Sequence, residues 1–398
     1  MGRIAFINAN AAAAEAAIIA GCNFYAGYPI TPSSEVPETL SKIMPERGVP
    51  FIMLEDEIAS INACVGAAAS GAKAMTCTSG PGLSLKQEAI GEACIMELPI
   101  VIVDVMRGGP STGLPTRPSQ ADIMQAKWGT HGDHPIIAIS ACNAQEVVFE
   151  TIRAFNLAEK FRQPVYILTD GLLSHLHAKV YLPDPEEVEI IERAKPTVPP
   201  EEYYPFDYNY EIPPLAAWWP KEGPSYRFHM SSLNHDKTGF PTVVPSFIQH
   251  QEKRLINKIM NHIDEIEKFE YYKMDDAETC MIAYGSVAEA VRVAVDEARK
   301  AGIKVGMFRP LTIWPLAEKQ IRELRDRVKN IIVVEMNLGQ YVLEVQRVVA
   351  EKIPVYGILQ AAGIPIRPAQ IFEKIKNPEK SVEICMTEEE LKKFGGGE

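Results

Sequence analysis

Four stretches of this 398-residue chain hold side chains whose types and spacing could do chemistry. Met106-Arg107-Gly108-Gly109-Pro110-Ser111-Thr112-Gly113-Leu114-Pro115-Thr116 follows the apolar run 100–105. A guanidinium there, beside threonine hydroxyls and glycine N–H groups, suits a carboxylate or phosphate, which its planar fork can hold bidentately. A solvated Arg on a surface loop is the competing reading. Glu55-Asp56-Glu57 starts the second stretch; acids in a helix's first turn complement its dipole, and one of them could instead turn inward to a ligand. Gly27-Tyr28-Pro29-Ile30-Thr31-Pro32-Ser33-Ser34 sets a stiff turn where a strand's carboxyl end meets a helix. Doubly wound sheets bind ligands at such places, although a helix start capped by Ser33 explains the turn as well. Thr76-Cys77-Thr78-Ser79-Gly80-Pro81-Gly82-Leu83 is a glycine turn that can set backbone N–H groups against a ligand. Leu85 stands where a dinucleotide fingerprint would place its third glycine, and no Gly-Lys-Ser/Thr occurs, which argues against nicotinamide and ATP sites.

Metal ligands are poorly represented. His131-Gly-Asp-His134 lacks a third nearby ligand, and His175-Leu-His177 is weaker still. Asp170-Gly171 follows Thr169, and the first asparagine downstream is Asn209, too distant for a magnesium motif of the diphosphate-binding kind. The seven cysteines, at 22, 64, 77, 94, 142, 280 and 385, form no Cys-x-x-Cys pair. The chain is expected to hold no metal and no iron–sulfur cluster itself.

The elements that must position these residues alternate. Helical patterns at 10–20, 33–44, 56–70 and 144–162 interleave with short apolar runs at 23–26, 51–54, 73–78, 100–105 and 165–169, which predicts a parallel sheet covered on both faces. Prolines then break the pattern between 183 and about 246, where five tyrosines and two tryptophans predict an ordered irregular segment wrapped over a domain or a partner. A charged helix is expected over 247–269. A second α/β unit starts near Glu278, with a capping box of Ser286 and Glu289 opening its first helix. The expected division is 1–182, 183–277, 278–375 and a frayed tail, 376–398. A net charge of −12 argues against nucleic acid and anionic membrane as partners, and no apolar run approaches the ~20 residues of a membrane span. With no secretory pattern at the amino terminus, the expected location is the cytoplasm.

Taken in order, YPITPSSEV, EDEIASI, TSGPGLSL, RGGPSTGLPT, QADIMQAKWGTHGDHP, RFHMSSLNHD, RPLTIWP and VVEMNLGQ resemble the α subunit of 2-oxoacid:ferredoxin oxidoreductases, the 2-oxoglutarate branch in particular. The resemblance implies a thiamine-diphosphate pyrimidine-binding fold over 1–182 and a transketolase carboxyl-terminal-like domain over 278–375. It implies that Glu57 shares a proton with the aminopyrimidine ring, favouring the tautomer that deprotonates the thiazolium carbon. Tyr28, Pro29 and Ile30 would border the cofactor. Thr31 and Arg107 would meet the substrate, Arg107 at its carboxylate, with Thr112 and Thr116 lining the pocket. The implied reaction is oxidative decarboxylation of 2-oxoglutarate with coenzyme A, reducing ferredoxin. Mg2+, the diphosphate and a [4Fe-4S] cluster then fall to a β subunit, with separate γ and possibly δ subunits, and this chain should be inactive alone. The same chemistry on 2-oxoisovalerate, or a non-catalytic scaffold role, are the competing readings.

Overall fold

A computed structural model describes residues 2–217 and 223–378, and the backbone of 382–383. The apolar runs become adjacent parallel strands in the order Ile137–Ser140, Val165–Asp170, Ile100–Gly108, Ala74–Thr78, Phe24–Gly27, Phe51–Met53. Alternation along the strand Ile100–Gly108 divides its side chains between two cores. Ile100 and Ile102 meet Ile61 and Ile90 on the face covered by the helices Glu57–Ala69 and Pro81–Ile95. Val101, Val103 and Val105 meet Ala13, Val147 and Phe155 of the helices Ala9–Ile19 and Ala144–Phe161 on the other.

The second unit has its own sheet, Phe269–Tyr272, Val305–Pro310, Thr279–Ala283, Asn330–Glu335, Val355–Leu359 and Val382–Glu383, parallel except at the first edge. It is bolted to the first unit in two places. Thr312–Trp314 pairs antiparallel with Ile137–Ser140 and so extends the first sheet. The segment 119–124 is strapped down by Ser119 Oγ and Gln120 N on the Met336 carbonyl, by Gln120 Nε2 on the Tyr284 carbonyl, and by Gln340 Nε2 on the Ala121 carbonyl.

The irregular segment wraps over the first unit. Arg193 is buried, ion-paired to Glu159 and bonded to the carbonyls of Ala68 and Ala72. Arg162 Nη1 donates to the carbonyls of Pro205 and Pro213, satisfying acceptors in a stretch without a regular ladder. Trp218 and Trp219, and most of the expected tail, lie outside the described residues.

Local expectations failed where a distant partner competes. Ser33 does not cap a helix: its hydroxyl donates to the Ile30 carbonyl at 2.8 Å and the helix begins at Glu35. The capping box does not form, because Glu289 accepts from the Cys142 thiol of the other unit and Ser286 makes no cap bond. The expected helix over 247–269 ends at Met260, and Phe269–Tyr272 is a strand. The antiparallel ribbon of Arg3–Asn8 with His177–Leu182 was not expected at all. Among the described residues no helix is long and apolar enough to cross a membrane.

Candidate active site

Strand carboxyl ends and helix starts bring the four stretches together. Glu57 is the first residue of its helix; Asp56 caps it, accepting from Ala59 N at 2.6 Å, which leaves Glu57 free to turn inward. It is 6% exposed, and among the described residues no donor bonds its carboxylate. The glycine turn explains how it fits. A Cβ on Gly82 would stand 2.6 Å from Glu57 Oε1 and 2.2 Å from Thr78 Oγ1, so only glycine lets the first turn of the helix Pro81–Ile95 come this close. Lys86, on the same helix and fully buried, fastens the first turn of the Glu57 helix: its Nζ donates to the Glu57 carbonyl at 3.2 Å, to Ser60 Oγ at 2.5 Å and to Thr76 Oγ1 at 3.2 Å. Burial pushes the Lys86 pKa down, and the charge of Glu57 is among those that pull it back.

Arg107 ends the buried strand and is itself 6% exposed. Nη1 donates to the Thr31 carbonyl at 2.6 Å and Nη2 to the Thr112 carbonyl at 2.7 Å, so the guanidinium ties the proline turn to the glycine loop. Its Nε is buried without a described partner. Burial lowers the Arg107 pKa against the opposing pull of Asp122, Glu57 and Asp104. Thr31, Thr112 and Thr116 are exposed, as is Pro29, with Tyr28 and Ile30 half-buried. Thr116 lies in the short strand Leu114–Pro118, which folds back antiparallel on the end of the Arg107 strand. Among the described residues no bond joins the three threonine hydroxyls; Thr31 and Thr112 are tied to Arg107 by their backbone carbonyls.

Sequence reasoning missed the acids behind Arg107. Asp104 is fully buried in the strand and Asp122 stands in the strap, and Asp104 Oδ1 and Oδ2 and Asp122 Oδ2 have no described hydrogen-bond partner. A carboxylate inside the apolar run IVIVDVM was the available signal, since such a group is costly without a partner. Elsewhere, Asp170 caps the helix Gly171–His175 through Leu172 N and Leu173 N, and His134 Nδ1 meets the Gly132 carbonyl at 2.9 Å.

Residues 15–253 match the family model described as pyruvate flavodoxin/ferredoxin oxidoreductase, thiamine diphosphate-binding, and residues 277–371 match pyruvate:ferredoxin oxidoreductase core domain II. The chain is 45% identical over 371 residues to 2-oxoglutarate synthase subunit KorA of Methanothermobacter marburgensis, covering 93% of this chain and 98% of that protein. Ketoisovalerate oxidoreductase subunit VorB of Methanothermobacter thermautotrophicus is 37% identical over 340 residues, 84% of this chain and 86% of that one. Among solved structures, 2-oxoglutarate:ferredoxin oxidoreductase from Magnetococcus marinus, with 2-oxoglutarate, coenzyme A and succinyl-CoA bound, superposes with a TM-score of 0.88 at 33% identity. That match covers 94% of this chain and 65% of that one.

Proposed function

Because the chain belongs to the pyruvate flavodoxin/ferredoxin oxidoreductase family, we propose that it is the α subunit of a 2-oxoglutarate:ferredoxin oxidoreductase. The complex would convert 2-oxoglutarate and coenzyme A to succinyl-CoA and carbon dioxide, reducing ferredoxin. The observation that carries this reading is Glu57, a buried carboxylate with no described donor, held over Gly82 at the strand ends. Such a group is completed by a protonatable ring nitrogen, so the residues present fit the pyrimidine end of thiamine diphosphate.

Thiamine diphosphate, when bound, supplies the nucleophilic carbon and the electron sink for decarboxylation. Glu57 holds and returns a proton at its carboxylate, and Lys86 keeps its helix turn in place. Tyr28, Pro29 and Ile30 border the ring. Arg107 supplies positive charge for the substrate carboxylate while its Nη groups fix Thr31 and the loop bearing Thr112 and Thr116. Ile52, Met53, Ile58, Leu85 and Leu114 are exposed beside these residues in the chain, an apolar rim suited to closure by a β subunit carrying the diphosphate, Mg2+ and [4Fe-4S] sites, with γ and δ subunits beyond. The pyrimidine-binding unit would be 1–182, the connector 183–277, the second domain 278–375 and the tail 376–398. Six buried free thiols among the described residues suit a reducing cytoplasm.

In the complex assembled with its partners, Glu57→Gln should lower ferredoxin reduction by about 10²–10⁴-fold. Unchanged turnover would overturn the assignment, as would robust turnover by this chain alone. The likeness to VorB makes 2-oxoisovalerate the second substrate to test; a higher kcat/KM with it than with 2-oxoglutarate would reassign the pocket.

A further inference from the structure

The acids behind Arg107 have no counterpart in the roles assigned above. Asp104 lies in the buried strand, where its flanking strands present Thr78 and Leu168 at the same level. Asp122 occupies the N-cap position of the helix Ile123–Trp128, yet makes no cap bond; its carboxyl is turned instead toward Asp104. An aspartate that forgoes the cap for another buried carboxyl gains nothing if both are ionised, because two acceptors cannot bond each other. The strap that carries Asp122 is held from the second unit through Gln120, so this placement is built into the junction.

We propose that Asp104 and Asp122 share one proton and act as a positioning pair for Arg107, placing a single negative charge beneath the guanidinium and so setting its attraction for the anionic carboxylate of a 2-oxoacid. The last clause rests on the function proposed above; the shared proton does not. One proton joins an Asp104 oxygen to an Asp122 oxygen as donor and acceptor, giving partners to two of the three oxygens that have none described. The groups facing the pair are Arg107 from the same strand, the phenol of Tyr166 from the next strand, and the Gly80 N–H, which points at Asp104 without closing a well-formed hydrogen bond. The charge of Glu57 also acts on Arg107. Burial drives both acids upward, Asp122 to about 6, and the charge of Asp122 adds to the upward push on Asp104.

Two measurements on the assembled complex test this. Difference infrared spectra at neutral pH should show a protonated-carboxyl C=O band that disappears in Asp104→Asn or Asp122→Asn; absence of the band in the native protein, or its survival in both variants, overturns the shared proton. The KM for 2-oxoglutarate should rise about tenfold as alkaline pH removes the proton, with kcat nearly constant. Asp104→Asn, neutral at every pH, should keep the KM seen at neutral pH and flatten that rise; an identical rise in the variant overturns the coupling to Arg107. A complex that turns over no 2-oxoacid yet shows the band defeats the functional reading and leaves the shared proton standing.

Discussion

Buried carboxylates in the two units meet opposite fates. Glu335, fully buried in the second unit, accepts from Tyr284 OH at 2.9 Å, Asn337 Nδ2 at 2.8 Å and the N–H groups of Gln340, Tyr341 and Val342 at 3.0–3.1 Å. It caps the helix Tyr341–Val349 and locks the residues that hold the strap. Glu57 and Asp104, in the first unit, have no described donor bonding their oxygens with good geometry. A satisfied network is architecture, whereas buried polar groups left open store capacity for a ligand or a proton. The contrast separates Glu335 and Glu57, both acids within strings that carry the family resemblance, by whether donors reach them.

The largest effects should follow that division. Glu57→Gln removes activity by the factor given above while moving the midpoint of thermal unfolding by no more than ~2 °C, since no described bond to its carboxylate is lost. Glu335→Ala should do the reverse, costing roughly 3–5 kcal/mol of stability because its donors lose their partner inside the core. Denaturant unfolding of both variants checks the comparison, and equal stability losses would erase it.

Glu97 extends the satisfied side to an ion cluster. Burial pushes its pKa up, but Arg254, Lys258 and Arg162 more than offset that and hold it well below the usual carboxylate range. Glu97→Gln leaves those cations facing a neutral group at the anchor of the helix Pro245–Met260, a loss of about 3 kcal/mol or more at neutral pH. A depressed folded-state pKa stabilises above the unfolded value, near 4.3, and the gain fades as pH falls further. The penalty for the variant should therefore shrink below about pH 4, which unfolding curves at several pH values read directly.

How much of this was legible beforehand depends on sequence distance. The parallel strands and their helices were readable, because apolar runs and 3.6-residue spacing are local signals. Glu57 was singled out only by the family resemblance, because acids opening a helix read locally as partners of its dipole, and the approach of Gly82 to Thr78 and Glu57 was not readable at all. Arg107 was read as a free guanidinium, and the structure commits both Nη groups to backbone carbonyls. The interlocking of the units escaped, since Thr312–Trp314, Gln120 and Glu289 are matched by residues more than a hundred positions away. Ser286 and Glu289 satisfy the local capping rule, but the Cys142 thiol takes the carboxylate first.

The smallest effect is the sharpest discriminator, because it inverts the sign found for Glu97. The folded-state pKa of Asp122 is raised to about 6 and that of Asp104 is raised well above the usual carboxylate value, so above the unfolded value near 3.9 the folded chain binds more protons than the unfolded one until the pair has titrated. Stability attributable to the pair must then fall as pH rises through that window, where the stability attributable to Glu97 has already been gained. Asp104→Asn removes the titration while keeping the shape, so it should match the native protein near pH 4 and exceed it by about 2–4 °C in unfolding midpoint near pH 8. Were the variant instead less stable at pH 8 than at pH 4 relative to the native chain, Asp104 would be an ionised, satisfied acid like Glu335, and the buried acids of the two units would no longer differ in kind.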